Sequence, residues 1–281
     1  MSFRPARLAL TAVCLSLGGC AALKLGVVNH AGPVAAEQWH LYVIVGAVLV
    51  FVAGPVLLLT PIIAWHYRLG NKGNAFKPEW NFSWPLEGFI WVPPIGIVIG
   101  LAFLLWNYTH ELDPYRSLPS AQAPVEVQAV ALDWKWLFIY PDARVAALNQ
   151  LAIPVGRPVH ISLTSGTVMQ SLMIPQLAGQ IYAMAGMRTQ LNLMASRAGI
   201  FRGENTQFNG QGFQREKFDV VALPPAAYAR WLARVKAAQP LTRPALASVL
   251  GRSTPARPQF FSAVPPTLFG RIMAATQRPT R

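Results

Sequence analysis

Two long uncharged apolar runs fix most of what this chain can fold into. Residues 41–65 hold no charge for 25 residues, and residues 88–109 form a second such run. A hydrocarbon layer about 30 Å thick is crossed by roughly 20 residues of helix. Helix is also the one open-ended structure that satisfies every backbone N–H and C=O within a single segment. The runs therefore predict a two-helix transmembrane hairpin over 41–67 and 87–109. Trp39 and His40 stand at one end of the first run, with Trp65, His66, Tyr67 and Arg68 at the other. Aromatic and basic residues of this kind favour the membrane interface. Pro55 and Pro61 inside it are tolerable where neighbouring helices pack. For the second run, Ser83 predicts an N-cap with Pro85 in the first turn, and Pro93-Pro94 predicts a bend.

The connecting segment 68–86 carries Arg68, Lys72 and Lys77, whereas residues 20–40 carry Lys24 alone among Lys and Arg. By the positive-inside rule this loop is cytoplasmic, so both ends of the hairpin face the periplasm. Ahead of it, Arg4 and Arg7 precede an uncharged stretch over 8–19. That stretch reads as a signal-peptide core and is too short to span. It ends in Leu17-Gly18-Gly19-Cys20, which resembles the bacterial lipobox. The resemblance implies removal of 1–19, an acylated Cys20 and a periplasmic segment over 20–40.

Beyond the hairpin the pattern is that of one globular domain. The whole chain is 53% hydrophobic and 12% charged, with a formal net charge of +13. The basic residues after position 110 are scattered singly, with no Lys/Arg run, which argues against a nucleic-acid partner. Cys14 and Cys20 are the two cysteines, so the globular part has neither a disulfide framework nor a thiolate metal site. His30, His40, His66, His110 and His160 show no metal-ligand spacing.

Residues 110–223 read as an all-β sandwich. Trp134, Trp136, Phe138 and Tyr140 fall two apart, predicting a strand with an aromatic face. Further predicted strands cover 125–132, 150–153, 159–164, 171–174, 190–194 and 218–223, separated by Gly and Pro at sandwich spacing. Residues 224–281 form a C-terminal helical extension. A helix is predicted over 226–238, with Tyr228, Trp231, Leu232 and Val235 on one stripe. A Pro- and Arg-rich strap with one or two short helices follows, its last few residues disordered.

Two spans followed by a β-sandwich resemble subunit II of the heme-copper terminal oxidases. The string Asp133-Trp134-Lys135-Trp136-Leu137-Phe138-Ile139-Tyr140-Pro141 resembles the quinol-oxidising cytochrome o branch. So do Gln180-Ile181-Tyr182-Ala183-Met184-Ala185-Gly186-Met187 and the lipobox. The likeness runs from about 20 to about 269. It implies a cupredoxin-like (Greek key) periplasmic sandwich in a non-catalytic subunit of a proton-pumping ubiquinol oxidase of the aerobic respiratory chain. Partners implied are a heme- and copper-bearing subunit I, smaller membrane subunits, membrane lipid, and ubiquinol as substrate of the complex.

In the cytochrome c oxidase branch, subunit II binds a binuclear copper centre through two His, two Cys, a Glu and a Met. Laid on this chain, the first His position holds Gln170. The Cys positions hold Asn205 and Asn209, and the Glu position holds Gln207. The second His position holds Phe213, and the Met position holds Glu216. Amides cannot replace bridging thiolates as copper ligands. Loss of the carboxylate at Gln207 also argues against a hard cation there. The resemblance thus implies that this chain carries no cofactor. A basic domain, about +10 from residue 110 onward, would also repel the basic cytochrome c.

Glu87-Gly88-Phe89-Ile90-Trp91-Val92-Pro93-Pro94 matches a family pattern whose Glu lies at the mouth of a proton-input path. The plainer reading of Glu87 is a carboxylate favoured by the helix N-terminus. Trp134 and Trp136 read as packing aromatics. Met169, Met173, Met184, Met187 and Met194 read as core fillers, and His160 as a lone hydrogen-bonded histidine. Two alternatives stay open. One is a copper-bearing cytochrome c oxidase subunit. The other is a free-standing cupredoxin-like membrane lipoprotein with a binding or assembly role.

Overall fold

The computed structural model describes residues 26–68, 70, 71, 73 and 78–277. Cys20 and the expected lipidation signal lie outside the described residues, as do Lys24, Lys72, Lys77 and the last four residues. The chain divides into a helical unit, Gln38–Asp113, and a second unit made of Met1–Glu37 with Pro114–Arg281.

Helices α1 (Pro33–His66) and α2 (Trp84–Glu111) carry the two apolar runs. Both are long and apolar enough to cross a membrane. Their side chains are bare in the isolated chain, as at Leu57 (72% exposed) and Phe103 (70%). A surface this apolar needs lipid or protein around it. The first helix begins at Pro33, earlier than its apolar run, so Trp39 and His40 lie on it. Ser83 takes the N-cap position of α2 with extended backbone, but its side chain makes no capping hydrogen bond. The helix continues through Pro93 and Pro94.

The sandwich has two sheets. One runs in the order β11-β3-β2-β1-β5-β8, from β1 (Val125–Leu132), β2 (Lys135–Tyr140), β3 (Val145–Leu148), β5 (Val159–Ser165), β8 (Thr189–Leu193) and β11 (Gln259–Phe261). The other runs β4-β10-β9-β6-β7, from β4 (Gln150–Pro154), β6 (Gln170–Ile174), β7 (Ala178–Ala183), β9 (Gly199–Asn205) and β10 (Lys217–Leu223). The core between them packs Trp136, Phe138 and Tyr140 against Leu151, Ile153, Phe201, Phe218 and Val220. The Tyr140 hydroxyl ties β2 to β4, donating to the Ala152 carbonyl (2.9 Å) and accepting from the Ala152 N–H (2.8 Å).

The first sheet is buried on its outer face as well. Val130, Leu132, Leu137, Ile139 and Leu148 point away from the main core and are sealed by the C-terminal extension. Helices α3 (Pro225–Lys236), α4 (Arg243–Leu250) and α5 (Leu268–Gln277) belong to that extension. Its Leu241, Val249, Phe261, Val264, Leu268, Phe269 and Ile272 form the second core. Each such side chain is worth about 1.5–3 kcal/mol when removed from water. The strap is therefore a structural lid with a strand paired antiparallel to β3. Lys135, fully buried on this face, donates to the Gly251 carbonyl and the Ser253 hydroxyl. Burial lowers its pKa, and nearby Asp133 works against that.

The segment just before α1 is stitched into the sandwich. The Ala31 N–H donates to the Gln176 carbonyl and its carbonyl accepts from the Ser196 N–H, both at 2.7 Å. Arg197 reaches Asn29 Oδ1 at 2.8 Å. Gly32 is needed here, because a Cβ would lie 2.4 Å from the Met194 carbonyl oxygen.

Two expectations are corrected. Trp134 is not on the aromatic strand face. It sits in the β1–β2 turn with φ of 64°, and its alternation with Trp136 comes from the turn. None of Met169, Met173, Met184, Met187 or Met194 is buried core: Met169 and Met187 are 43% and 54% exposed and the others half-buried. Met169 immediately precedes β6, and Met187 lies in the turn between β7 and β8.

Candidate functional site

The candidate site lies where β6, β9 and β10 meet the loop 206–216. Residue 205 ends β9, residue 170 opens β6, and residue 216 immediately precedes β10. Glu216 is in phase with the inward-facing Phe218, Val220 and Ala222 of β10, so its carboxyl is driven inside. It is 1% exposed.

Two amides hold it. Asn205 Nδ2 donates to Glu216 Oε2 at 3.0 Å, and Asn209 Nδ2 donates to the same oxygen at 2.6 Å. Asn205 in turn organises the loop. Its Oδ1 accepts from the Ser171 and Gln207 N–H groups, both at 2.9 Å, and its Nδ2 also reaches the Gln207 carbonyl at 2.8 Å. Gln207 thus enters through its backbone. Gln170 is fully buried but bonds elsewhere, to the Leu132 carbonyl (3.0 Å) and Thr167 Oγ1 (3.2 Å). The Phe213 ring meets the exposed Phe208 edge-to-face at 5.6 Å, and its carbonyl accepts from the Glu216 N–H at 3.1 Å. The structure therefore brings together Asn205, Gln207, Asn209 and Glu216, leaves Gln170 adjacent, and joins Phe213 to Glu216 through its backbone.

Trp134 closes the loop from outside. Its indole N–H donates to the Asn209 carbonyl at 3.2 Å. Gly212 lies directly under the ring, and a Cβ there would stand 2.2 Å from it. Gly210 has φ of 108°, a conformation suited to glycine.

Electrostatics at the site oppose charge. Burial pushes the Glu216 carboxyl up to about 7, and Asp133 adds to this. The hydrogen bonds from Asn205 and Asn209 pull the other way and do not win. The Trp136 indole also favours the charged form. It closes no hydrogen bond of normal geometry, since Trp136 Nε1 and Glu216 Oε1 are both buried without a partner. Gln170 Oε1, Ser171 Oγ and Asn209 Oδ1 share that condition.

These donors do not fit a binuclear copper group. One carboxylate and several amides supply hard oxygen, where bridging copper demands thiolate and imidazole. Among the described residues no three of His, Cys, Asp and Glu are grouped to hold a metal. What the arrangement does chemically is to favour the neutral form of the Glu216 carboxyl and to knit β6, β9 and β10 together through hydrogen bonds.

Glu87 lies in the first turn of α2, half-buried, and accepts from Trp91 Nε1 at 3.0 Å. His160 Nδ1 lies 2.7 Å from Glu126 Oε2 across the β1–β5 pair. Sequence reasoning placed Trp136 on an aromatic strand face but missed its nearness to Glu216, and it missed Ser171 and Thr167 altogether. No spacing signal marks the approach of Trp136 to Glu216 or of Ser171 to Asn205, because each joins segments far apart in the chain.

Residues 106–217 match the family model of the cytochrome c oxidase subunit II periplasmic domain. The chain is 40% identical over 263 residues to the cytochrome bo(3) ubiquinol oxidase subunit 2 of Pseudomonas aeruginosa, covering 93% of this chain and 78% of that one. It is 38% identical to the ubiquinol oxidase subunit 2 of Acetobacter aceti, over 96% of this chain and 88% of that one. It is 36% identical to the quinol oxidase subunit 2 of Bacillus subtilis, over 82% and 71%. The crystal structure of the periplasmic domain of subunit II of the cytochrome oxidase of Bradyrhizobium japonicum is similar over 40% of this chain and 94% of that one. Its identity is 18% and its TM-score 0.39. The chain belongs to the subunit II family of the heme-copper terminal oxidases, in the ubiquinol oxidase branch.

Proposed function

We propose that this chain is the non-catalytic, copper-free subunit II of a proton-pumping ubiquinol:oxygen oxidoreductase. The observation that carries the reading is the cluster at Asn205, Asn209 and Glu216. Positions that would hold copper instead close a hydrogen-bonded amide–carboxyl network. Electrons then bypass this chain and pass from ubiquinol to hemes and copper in subunit I. The chain's task is to support subunit I from the membrane and the periplasm. Exposed Val168 (53%), Met169 (43%) and Phe208 (72%) beside the network offer an apolar contact to a partner subunit.

Glu87 contributes to a proton-input path. With the loop 68–86 on the cytoplasmic side, it stands at the inner end of α2. An ionisable group at a membrane edge is costly unless hydrated or used. Trp91 orients its carboxylate without sealing it. The protein is an inner-membrane one, spanning twice, with Cys20 as a lipid anchor and the sandwich in the periplasm.

The test is purification of the tagged full chain from membranes. The reading expects a heme-bearing subunit in stoichiometric amount and oxygen uptake driven by ubiquinol but not by reduced cytochrome c. Cytochrome c oxidation would revive the copper-bearing alternative. A chain that purifies alone would favour the free-standing lipoprotein.

A further inference from the structure

Residues 224–281 hold nine Lys or Arg and no Asp or Glu, most of the net charge of the whole chain. Arg230, Arg234, Lys236, Arg243, Arg257 and Arg271 are all exposed. Of the described cations in this extension, Arg252 alone has an ion-pair partner, Asp133 at 2.9 Å. A one-sign surface of this kind attracts anions. Between α4 and α5 the same extension leaves a groove of about 420 Å³. Leu246, Leu250, Leu268 and Ile272 make it apolar, and Arg271 stands on its wall. Leu268 and Ile272 are also part of the core that seals the sheet, so one side of the groove is packed against it.

An apolar trough with a guanidinium beside it matches a molecule that is half hydrocarbon and half phosphate. Guanidinium pairs with phosphate oxygens through paired N–H donors. A chain with two membrane spans always has such molecules at high local concentration. We propose that the α4–α5 groove binds an anionic phospholipid, its acyl chain against Leu246, Leu250 and Ile272 and its phosphate against Arg271. The proposal rests on the membrane-bound reading of the chain.

The full chain is placed in nanodiscs of phosphatidylcholine alone or of phosphatidylcholine with phosphatidylglycerol. Hydrogen exchange is followed at the amides of α4 and α5, with β1 and β2 as a check on folding. Phosphatidylglycerol should slow exchange in α4 and α5 by about tenfold at low salt, as expected for a lipid held by surface charge. The slowing should be lost in Arg271→Gln and kept in Arg271→Lys. Equal rates in both discs would overturn the site while leaving the membrane-spanning reading intact. Slowing seen only when the heme-bearing subunit is added would also overturn it, because a protein then covers the groove. A chain that enters neither disc would overturn both readings.

Discussion

Replacing Glu216 by Gln probes the electrostatics of the site directly. The carboxyl is held at about 7 against an ordinary 4.5. At about 1.36 kcal/mol per pH unit, that difference corresponds to about 3 kcal/mol of stability linked to one proton. The sign follows from proton counting. Between pH 4.5 and 7 the folded chain holds a proton that the unfolded chain has released. Stability from this group is therefore fully present below 4.5, is lost as pH rises through 7, and stays lost above it. Gln keeps an acceptor for Asn205 and Asn209 and never ionises. Raising the pH from 4 to 8 should thus destabilise wild type relative to Glu216→Gln by about 3 kcal/mol, or roughly 6–12 °C in Tm for a domain of this size. The assay is thermal unfolding of the detergent-solubilised full chain, followed by near-ultraviolet circular dichroism of its tryptophans. Parallel pH profiles for the two proteins would refute the reasoning, and would mean that the carboxyl is hydrated or ionised at little penalty.

Further outcomes follow from named contacts. Gly212→Ala forces a Cβ to within 2.2 Å of the Trp134 ring and should destabilise by about 1–3 kcal/mol, read as a lower Tm; an unchanged Tm would mean that the indole is free to swing out. Glu87→Gln should lower quinol-oxidase turnover per heme at unchanged heme content, with Glu87→Asp retaining more of it; equal turnover in all three would leave Glu87 a helix-terminal carboxylate only. Cys20→Ala should abolish lipidation and the linked cleavage, detected by mass spectrometry, while the chain stays in the membrane fraction through its two spans.

Much of the fold was legible because its signals are local. The apolar runs need nothing but length, and β1, β4, β5, β8 and β10 carry the apolar alternation or runs that mark strands. The strands at 145–148, 178–183, 199–205 and 259–261 were missed for physical reasons. In β9 the inward residues are Phe201, Gly203 and Asn205, so one apolar side chain must stand for a whole buried face. In β3, Ala146 and Ala147 face opposite cores and show no contrast at all. The weak alternation of β1 has the same origin, since Val130 and Leu132 face the second core that the strap completes. That core could not be read in advance, because its halves are about a hundred residues apart. At the site, the ligand positions came from family resemblance, and the burial of Glu216 was visible only in its phase with Phe218 and Val220.

The central claim is that an amide–carboxyl network stands where copper would bind. Its most direct test is elemental analysis of the purified full chain, separated from partner subunits, after exposure to copper and then to chelator. The account predicts far less than one copper per chain and no thiolate–copper absorption band. A stoichiometric, chelator-resistant copper would contradict it.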